Sequence, residues 1–132
     1  MKKKMKYCLL PLLLIILIGC SAKVTEEDLI DGYWVATAGY QDGESSGEPY
    51  CLDVVTDGLK FNSNNTVYVE VYDSDFSYWL EDNGDGIEIH FRGEEFGLYL
   101  SYYIDKISED EVGLTGKGDT QSEESCFLER QY

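Results

Sequence analysis

Apolar and polar residues alternate along most of the chain after Gly32, and this pattern predicts a series of short β-strands. The alternation is most regular in residues 66–72, 87–92 and 98–104, where an aliphatic or aromatic residue occupies every second position. Turn-forming residues separate these segments, and the Asn-Gly-Asp-Gly sequence of residues 83–86 is a strong hairpin signal. About eight strands result, at the spacing of roughly 8 to 12 residues that is typical of an antiparallel sandwich or barrel.

Tight turns between consecutive strands favour one arrangement of these strands. We expect an all-β fold, an antiparallel up-and-down barrel or meander of about eight strands. An eight-stranded barrel is either filled by side chains or holds one small ligand. The two possibilities have different functional consequences, and the strand pattern does not decide between them.

The segments around these strands carry weaker signals. Thr25 and the three acidic residues that follow it resemble a helix N-cap, and Gly32 ends that helix after a few residues. Residues 32–38 are the first strand candidate, and residues 125–131 form the last. Residues 51–55 are compatible with a strand or a single turn.

The first 20 residues have the pattern of an export signal. A basic start is followed by an apolar core, Leu9 to Ile18, interrupted only by Pro11. A membrane-spanning helix needs about 20 apolar residues, so this shorter core is typical of a signal peptide. The core ends in Leu17-Ile-Gly-Cys20, which resembles the lipobox of bacterial lipoproteins. The basic residues of the start are Lys2, Lys3, Lys4 and Lys6.

The lipobox resemblance implies a lipid anchor. In that family the Cys sulfur receives a diacylglycerol and the chain is cut just before it, so Cys20 would be the lipidation site and the membrane partner. Residues 1–19 would be the signal peptide, residues 20–31 the lipidated cysteine with a short tether and helix, and residues 32–132 the β-domain. We therefore expect the protein on the extracytoplasmic face of the cell membrane.

The charge of the chain excludes some functions. Four of its ten basic residues lie in residues 1–19, so six remain against 26 acidic residues, a formal charge of −20. Nucleic acid binding depends on Lys and Arg that neutralise phosphates, and it is excluded on this ground. A polybasic membrane-binding patch is also absent from residues 20–132.

Two cysteines remain once Cys8 leaves with the signal peptide and Cys20 carries lipid. Outside the cytoplasm, the pair Cys51 and Cys126 suggests one disulfide, with two free thiols as the alternative. A zinc site at these cysteines is a poor fit, because the only histidine, His90, is distant from both in sequence.

Three short segments resemble the lipocalin-like domains of small bacterial lipoproteins. Gly32-Tyr-Trp34 is similar to the Gly-x-Trp opening of the first lipocalin strand, and residues 59–66 (LKFNSNNT) resemble an LxFxxxGT hairpin with Asn65 in place of Gly. Arg130 matches the basic residue near the end of the last strand. The resemblance implies that Trp34 packs at the closed barrel end under Arg130; otherwise Trp34 is a core aromatic and Arg130 a solvated charge.

Few residues suggest a metal-binding or catalytic site. Glu81, Asn83, Asp85 and Gly86 fit part of an EF-hand loop, but Arg92 occupies the position of its essential acid, so we expect a hairpin turn without calcium. We expect His90 to be a surface residue on the polar face of its strand. No common catalytic motif occurs in the sequence, and we predict no enzymatic activity, cofactor or metal.

The sequence thus predicts a lipid-anchored extracytoplasmic lipoprotein that is not an enzyme. It would bind a small apolar ligand or an envelope partner. The alternative is a structural or protein-interaction module with a filled core and no small-molecule ligand. A pocket of at least ~300 Å³ that opens at one end would favour the ligand, and a solid core would favour the interaction module.

Overall fold

The computed structural model describes residues 23–118 and 123–132, which form a closed antiparallel barrel of eight strands. The elements, in chain order, are α1 (Glu26–Leu29), β1 (Tyr33–Ala38), β2 (Tyr40–Gln41), β3 (Glu44–Ser45), α2 (Asp53–Thr56), β4 (Leu59–Phe61), β5 (Thr66–Val69), β6 (Ser74–Asp82), β7 (Ile87–Gly93), β8 (Leu98–Ser108), β9 (Glu111–Gly116) and β10 (Ser125–Gln131). The prediction of an all-β up-and-down barrel is confirmed.

The strands follow one another around the barrel in chain order. From β4 to β10 each strand pairs with the next, and β1 closes the barrel between β10 and β4. The closing pair is Trp34 opposite Leu59. Strands β2 and β3 form a separate two-stranded sheet within the connection from β1 to β4.

Side chains fill the interior of the barrel. The alternating apolar positions of each strand point inward, and rings contribute much of the volume. Phe61 lies at the centre of this packing, with ring centroids 4.8 Å from Tyr78 and 6.4 Å from Phe91. The largest side chains that are fully buried are Trp34, Tyr78, Tyr102, Phe76 and Phe91.

A short helix lies at each end of the barrel. Helix α1 lies at the end where the β4–β5 and β6–β7 turns meet, and its Leu29 is buried in the core with Val24 just before it. Helix α2 contributes the buried Val54 and Val55 near the β5–β6 connection. We call these the α1 end and the α2 end.

One local prediction was wrong. The strand expected over residues 66–72 ends at Val69, and a 3₁₀ turn over Glu70–Tyr72 follows it. Asp73 then adopts a left-handed conformation, with φ of 49°, that reverses the chain into β6, and Val71 is consequently 41% exposed.

The predicted signal peptide and the lipidation site Cys20 lie outside the described residues. Within residues 23–118 and 123–132, no helix has the length and hydrophobicity that a membrane span requires.

The sequence left residues 51–55 open between a strand and a single turn. The structure has a single helical turn there, because α2 begins at Asp53.

Candidate functional site

Strand β7 is buried on both of its faces. Its inward residues Ile87, Ile89 and Phe91 belong to the core, as the alternation predicts. Its outward residues Glu88 and His90 are also buried, at 4% and 5% exposure. Ionisable side chains on the outer wall of a small barrel are normally solvated, so their burial marks this part of the wall as unusual.

The strand register explains which residues surround this histidine. His90 pairs with Trp79 on β6 and with Ser101 on β8, so the three side chains lie in one row across the outer wall. Glu88 pairs with Glu81 in the neighbouring row towards the α1 end. The row on the other side contains Ser77, Arg92 and Tyr99.

Two aromatic rings pack against the histidine. The ring centroid of His90 lies 5.0 Å from that of Trp79 and 5.8 Å from that of Tyr99, with interplanar angles of 9° and 12°. The Arg92 guanidinium lies over the same two rings, 5.2 Å from the Trp79 centroid and 5.8 Å from the Tyr99 centroid. We name the seven residues that build this region the outer-wall cluster. They are Trp79, Glu81, Glu88, His90, Arg92, Tyr99 and Ser101.

The two ring nitrogens of His90 have different surroundings. Nδ1 lies 2.8 Å from the Tyr99 hydroxyl and 2.8 Å from the Ser101 hydroxyl, and both contacts are hydrogen bonds. Nε2 lies 3.1 Å from Glu81 Oε1 and 3.3 Å from Glu88 Oε1. Neither of these two contacts has hydrogen-bond geometry, so the buried Nε2 has no hydrogen-bond partner.

The hairpin turn between β6 and β7 holds Glu88 in place. Asn83 Oδ1 accepts hydrogen bonds from the backbone N–H groups of Asp85 and Gly86, at 3.0 and 3.2 Å, which fixes the turn. The Asn83 side-chain amide donates to Glu88 Oε2. The predicted hairpin at residues 83–86 is confirmed, and its asparagine also orients a carboxylate of the cluster.

A lysine that follows strand β9, two strands away from β7 in the barrel, reaches the same carboxylate. Lys117, just after β9, places Nζ 3.3 Å from Glu88 Oε1. Glu88 is 5% exposed in its side chain, Lys117 is 36% exposed and Glu81 is 57% exposed. The cluster therefore has a buried inner part at Glu88 and His90 and an edge that is open to solvent at Glu81.

The expectation that His90 is an ordinary surface residue was wrong. It lies on the outward face, as expected, but the neighbouring aromatic rings bury it. His90, Glu81 and Glu88 each offer one donor atom within 4.8 Å of the other two, a separation that suits ligands of a single metal ion. Because Tyr99 and Ser101 both bond to Nδ1, they hold the imidazole in a fixed orientation towards the carboxylates.

The pair suggested by the lipocalin-like resemblance lies at the α1 end. The Arg130 guanidinium is 4.6 Å from the centroid of the buried Trp34 ring. The Trp34 indole N–H donates to the Leu29 carbonyl at 2.9 Å, which joins the ring to α1. Arg130 donates to the carbonyls of Asp28 (2.8 Å), Ile30 (2.7 Å) and Asp31 (2.9 Å).

Asp28 adds a charged contact to the same end. Burial alone would raise the pKa of its carboxyl, but hydrogen bonds from the Thr25 backbone N–H and from Lys106 outweigh that effect, so the pKa is lowered. The Lys106 ammonium lies 3.0 Å from Asp28 Oδ1. These contacts fasten α1 to the barrel.

The predicted disulfide between Cys51 and Cys126 is confirmed. It joins the segment before α2 to strand β10, at the α2 end. A buried polar group that the sequence did not indicate lies beside it: Glu124 accepts a hydrogen bond from the Tyr102 hydroxyl at 2.5 Å and one from the Leu52 backbone N–H at 3.1 Å. This carboxylate connects the loop before α2 to the core.

We found no family model, no curated protein and no solved structure that matches this chain.

Proposed function

We propose that this protein is a lipid-anchored, extracytoplasmic interaction module that binds an envelope protein through the outer-wall cluster and is not an enzyme. The observation that carries the proposal is the filled barrel. Side chains occupy the interior, and a helix with buried apolar residues lies at each end. A ligand of drug-like size needs a cavity of about 300–1,000 Å³, and a filled interior leaves the outside for binding.

The anchor is supported by the N-terminal sequence and by charge. Leu17-Ile-Gly-Cys20 resembles a lipobox, and residues 20–132 have no basic patch that would hold them to anionic lipid without an anchor. Lys23, three residues after Cys20, forms an ion pair of 2.8 Å with Asp82 at the α1 end. An acyl group on Cys20 would therefore hold the α1 end of the barrel towards the bilayer.

The outer-wall cluster is the preferred contact surface because of its residue types. Trp, Tyr and Arg are the residues that most often dominate the binding energy of protein interfaces, and Trp79, Tyr99 and Arg92 stack together here on the outer wall. Tyr99 is 54% exposed, and the nearby Tyr103 is 37% exposed. Stacking restrains these side chains before binding, so little conformational entropy would be lost on contact.

Site-specific photo-cross-linking in host cells tests this proposal. We would replace Tyr99 with p-benzoyl-phenylalanine and use Tyr50, a tyrosine of similar exposure near the α2 end, as the matched control. We expect a discrete cross-linked protein from position 99 that is absent from position 50 and weakened by Arg92→Ala. Identical products from both positions, or none from position 99, would contradict the proposal.

A second candidate, a small apolar ligand, is favoured by one cavity. A depression of about 380 Å³, above the size of ~300 Å³ that favours a ligand, lies at the rim of the α1 end and not in the filled interior. Val24, Ile87 and Ile104 form its apolar part, and Lys23, Asp105 and Lys106 form its charged part. Gly86 also lines it, and a Cβ at Gly86 would meet no atom within 4 Å, so Gly86→Phe is the variant chosen to place a ring at the cavity. Binding of a fluorescent fatty acid that Gly86→Phe abolishes would favour the ligand, and no binding would favour the interaction module.

A further inference from the structure

We propose that Glu81, Glu88 and His90 bind one divalent transition-metal ion, Zn²⁺ or an ion of similar chemistry, on the outer wall of the barrel. Its three ligands belong to the outer-wall cluster, but the inference rests on their geometry and not on the proposed function. The observation that points to it is His90 Nε2, a buried nitrogen without a hydrogen-bond partner that faces two carboxylate oxygens. A buried polar atom without a partner is rare in native proteins and requires an explanation, and a bound ion at that position is one that also explains the two facing carboxylates.

The distances agree with those of a metal site. Zinc lies about 2.0–2.2 Å from imidazole nitrogen and carboxylate oxygen, which places the ligand atoms of a tetrahedral site about 3.3–3.6 Å apart. Nε2 is 3.1 Å from Glu81 Oε1 and 3.3 Å from Glu88 Oε1, and all three donor atoms lie within 4.8 Å of one another. Small side-chain adjustments are therefore sufficient to complete the coordination.

Hydrogen bonds around the three ligands fix them in the orientation that binding requires. Tyr99 and Ser101 engage Nδ1 of His90, which leaves Nε2 directed at the carboxylates. The Asn83 amide engages Oε2 of Glu88, which leaves Oε1 directed at Nε2. Supporting hydrogen bonds of this kind are a regular property of protein metal sites.

The ligand types select the class of ion. One imidazole and two carboxylates suit Zn²⁺ and its transition-metal neighbours, whereas Ca²⁺ and Mg²⁺ prefer oxygen ligands alone. Three protein ligands leave a further position for water or for a group from a partner. Glu81, which is 57% exposed, is the side from which an ion would enter.

Lys117 is the competitor of the ion. Its ammonium lies 3.3 Å from Glu88 Oε1, the same oxygen that would bind the metal. Its side chain is 36% exposed, so the ammonium can move into solvent when an ion arrives. A cation at this site and the lysine therefore exclude each other, and removal of the lysine charge should strengthen metal binding.

The experiment uses the full chain in detergent micelles and exploits its single histidine. Imidazole ¹⁵N NMR would follow His90 during titration with Zn²⁺ in a large excess of Mg²⁺, which suppresses weak binding to the many surface carboxylates. Competition with a chromophoric chelator would give the affinity. We expect one Zn²⁺ per chain and a large shift of the Nε2 resonance, with Nδ1 little changed.

Variants distinguish Zn²⁺ binding at this site from nonspecific binding to the other acidic residues. We expect His90→Gln to weaken Zn²⁺ binding by more than about 100-fold, because loss of a group that only orients a ligand already weakens it by about 10–100-fold. Lys117→Met should tighten binding several-fold, and Glu95→Gln, at an exposed acid outside the site, should leave it unchanged.

An Nε2 resonance that does not move at saturating Zn²⁺ would overturn the proposal. In that case His90 is either an imidazolium paired with both carboxylates, or Zn²⁺ binds elsewhere. Equal Zn²⁺ affinity in His90→Gln and the unmodified chain would overturn it as well. The NMR measurement needs no substitution, so it remains decisive if a variant fails to fold.

Discussion

Arg130 fastens the N-terminal helix to the barrel, and its replacement by Met should be among the most destabilising changes at the chain surface. Its side chain is 8% exposed and stacks on Trp34 at 4.6 Å. Its N–H groups donate to four backbone carbonyls and to the Asp110 carboxylate. Met retains part of the apolar stem but removes every one of these donors.

These contacts determine how much stability Arg130→Met should remove. The stacking on Trp34 contributes about 0.5–2 kcal/mol, and a hydrogen bond to a charged group contributes about 1.5–3 kcal/mol. The ion pair with Asp110, which is 53% exposed, contributes about 1 kcal/mol at most. These values are not additive because carbonyls at the barrel end regain water, so we expect Arg130→Met to lower the free energy of unfolding by about 3–5 kcal/mol.

Urea-induced unfolding of a soluble form that begins at Ser21 measures this loss. Arg92→Met is the matched control, because Arg92 also lies over two aromatic rings but is exposed on the outer wall. We expect the control to lower stability by about 1 kcal/mol or less, and Arg130→Lys to lie between the two because it retains charge without the planar fork. Equal losses for Arg130→Met and Arg92→Met would refute the reasoning.

Three further predictions concern stability. Reduction of the Cys51–Cys126 disulfide, which spans 75 residues, should lower the free energy of unfolding by about 4 kcal/mol; an unchanged urea midpoint with reductant would contradict this. Gly113→Ala should cost about 1–3 kcal/mol, because the new Cβ would lie 2.4 Å from the Tyr40 ring, and an unchanged melting temperature would argue against that packing. Burial raises the pKa of Tyr78 to about 12, whereas an unfolded tyrosine titrates near ~10, so its contribution to stability is complete below about pH 10 and is lost as pH rises through about 12. Ultraviolet absorbance and circular dichroism would follow phenolate formation and unfolding together, and a phenol of Tyr78 that titrates near pH 10 would contradict its burial.

The alternation of residues was sufficient to predict the barrel, because side chains of a β-strand point to opposite faces with a period of two. In β7 it separated Ile87, Ile89 and Phe91 from Glu88 and His90, as the structure has them. It failed at residues 70–72, where Val71 continues the alternation although the chain has already turned. A local pattern contains no information about where a strand must end to close a barrel.

The outer-wall cluster was only partly predictable. A hairpin turn at residues 83–86 pairs Asp82 with Ile87, and this register already places Trp79 beside His90 and Glu81 beside Glu88. The burial of His90 depends also on Tyr99 from the next hairpin, whose turn contains a 3₁₀ segment that the sequence does not specify. The contact of Lys117 with Glu88 crosses strand β8 and has no sequence signal.

The disulfide was predictable for a different reason. If the signal-peptide prediction is correct, Cys8 is removed and Cys20 carries lipid, which leaves Cys51 and Cys126 as the pair expected to bond outside the cytoplasm. No such argument was available for Glu124. A single acid in a polar loop is ordinarily solvated, and its burial depends on Tyr102 from a distant strand.

Native mass spectrometry of the full chain, purified from host membranes in a mild detergent, tests most directly whether this is a lipid-anchored protein with a filled barrel. We expect the mass of residues 20–132 with an acylated Cys20 and an intact disulfide, and no small apolar molecule retained. A chain without acyl groups, or a stoichiometric apolar ligand that remains bound, would contradict the proposed function.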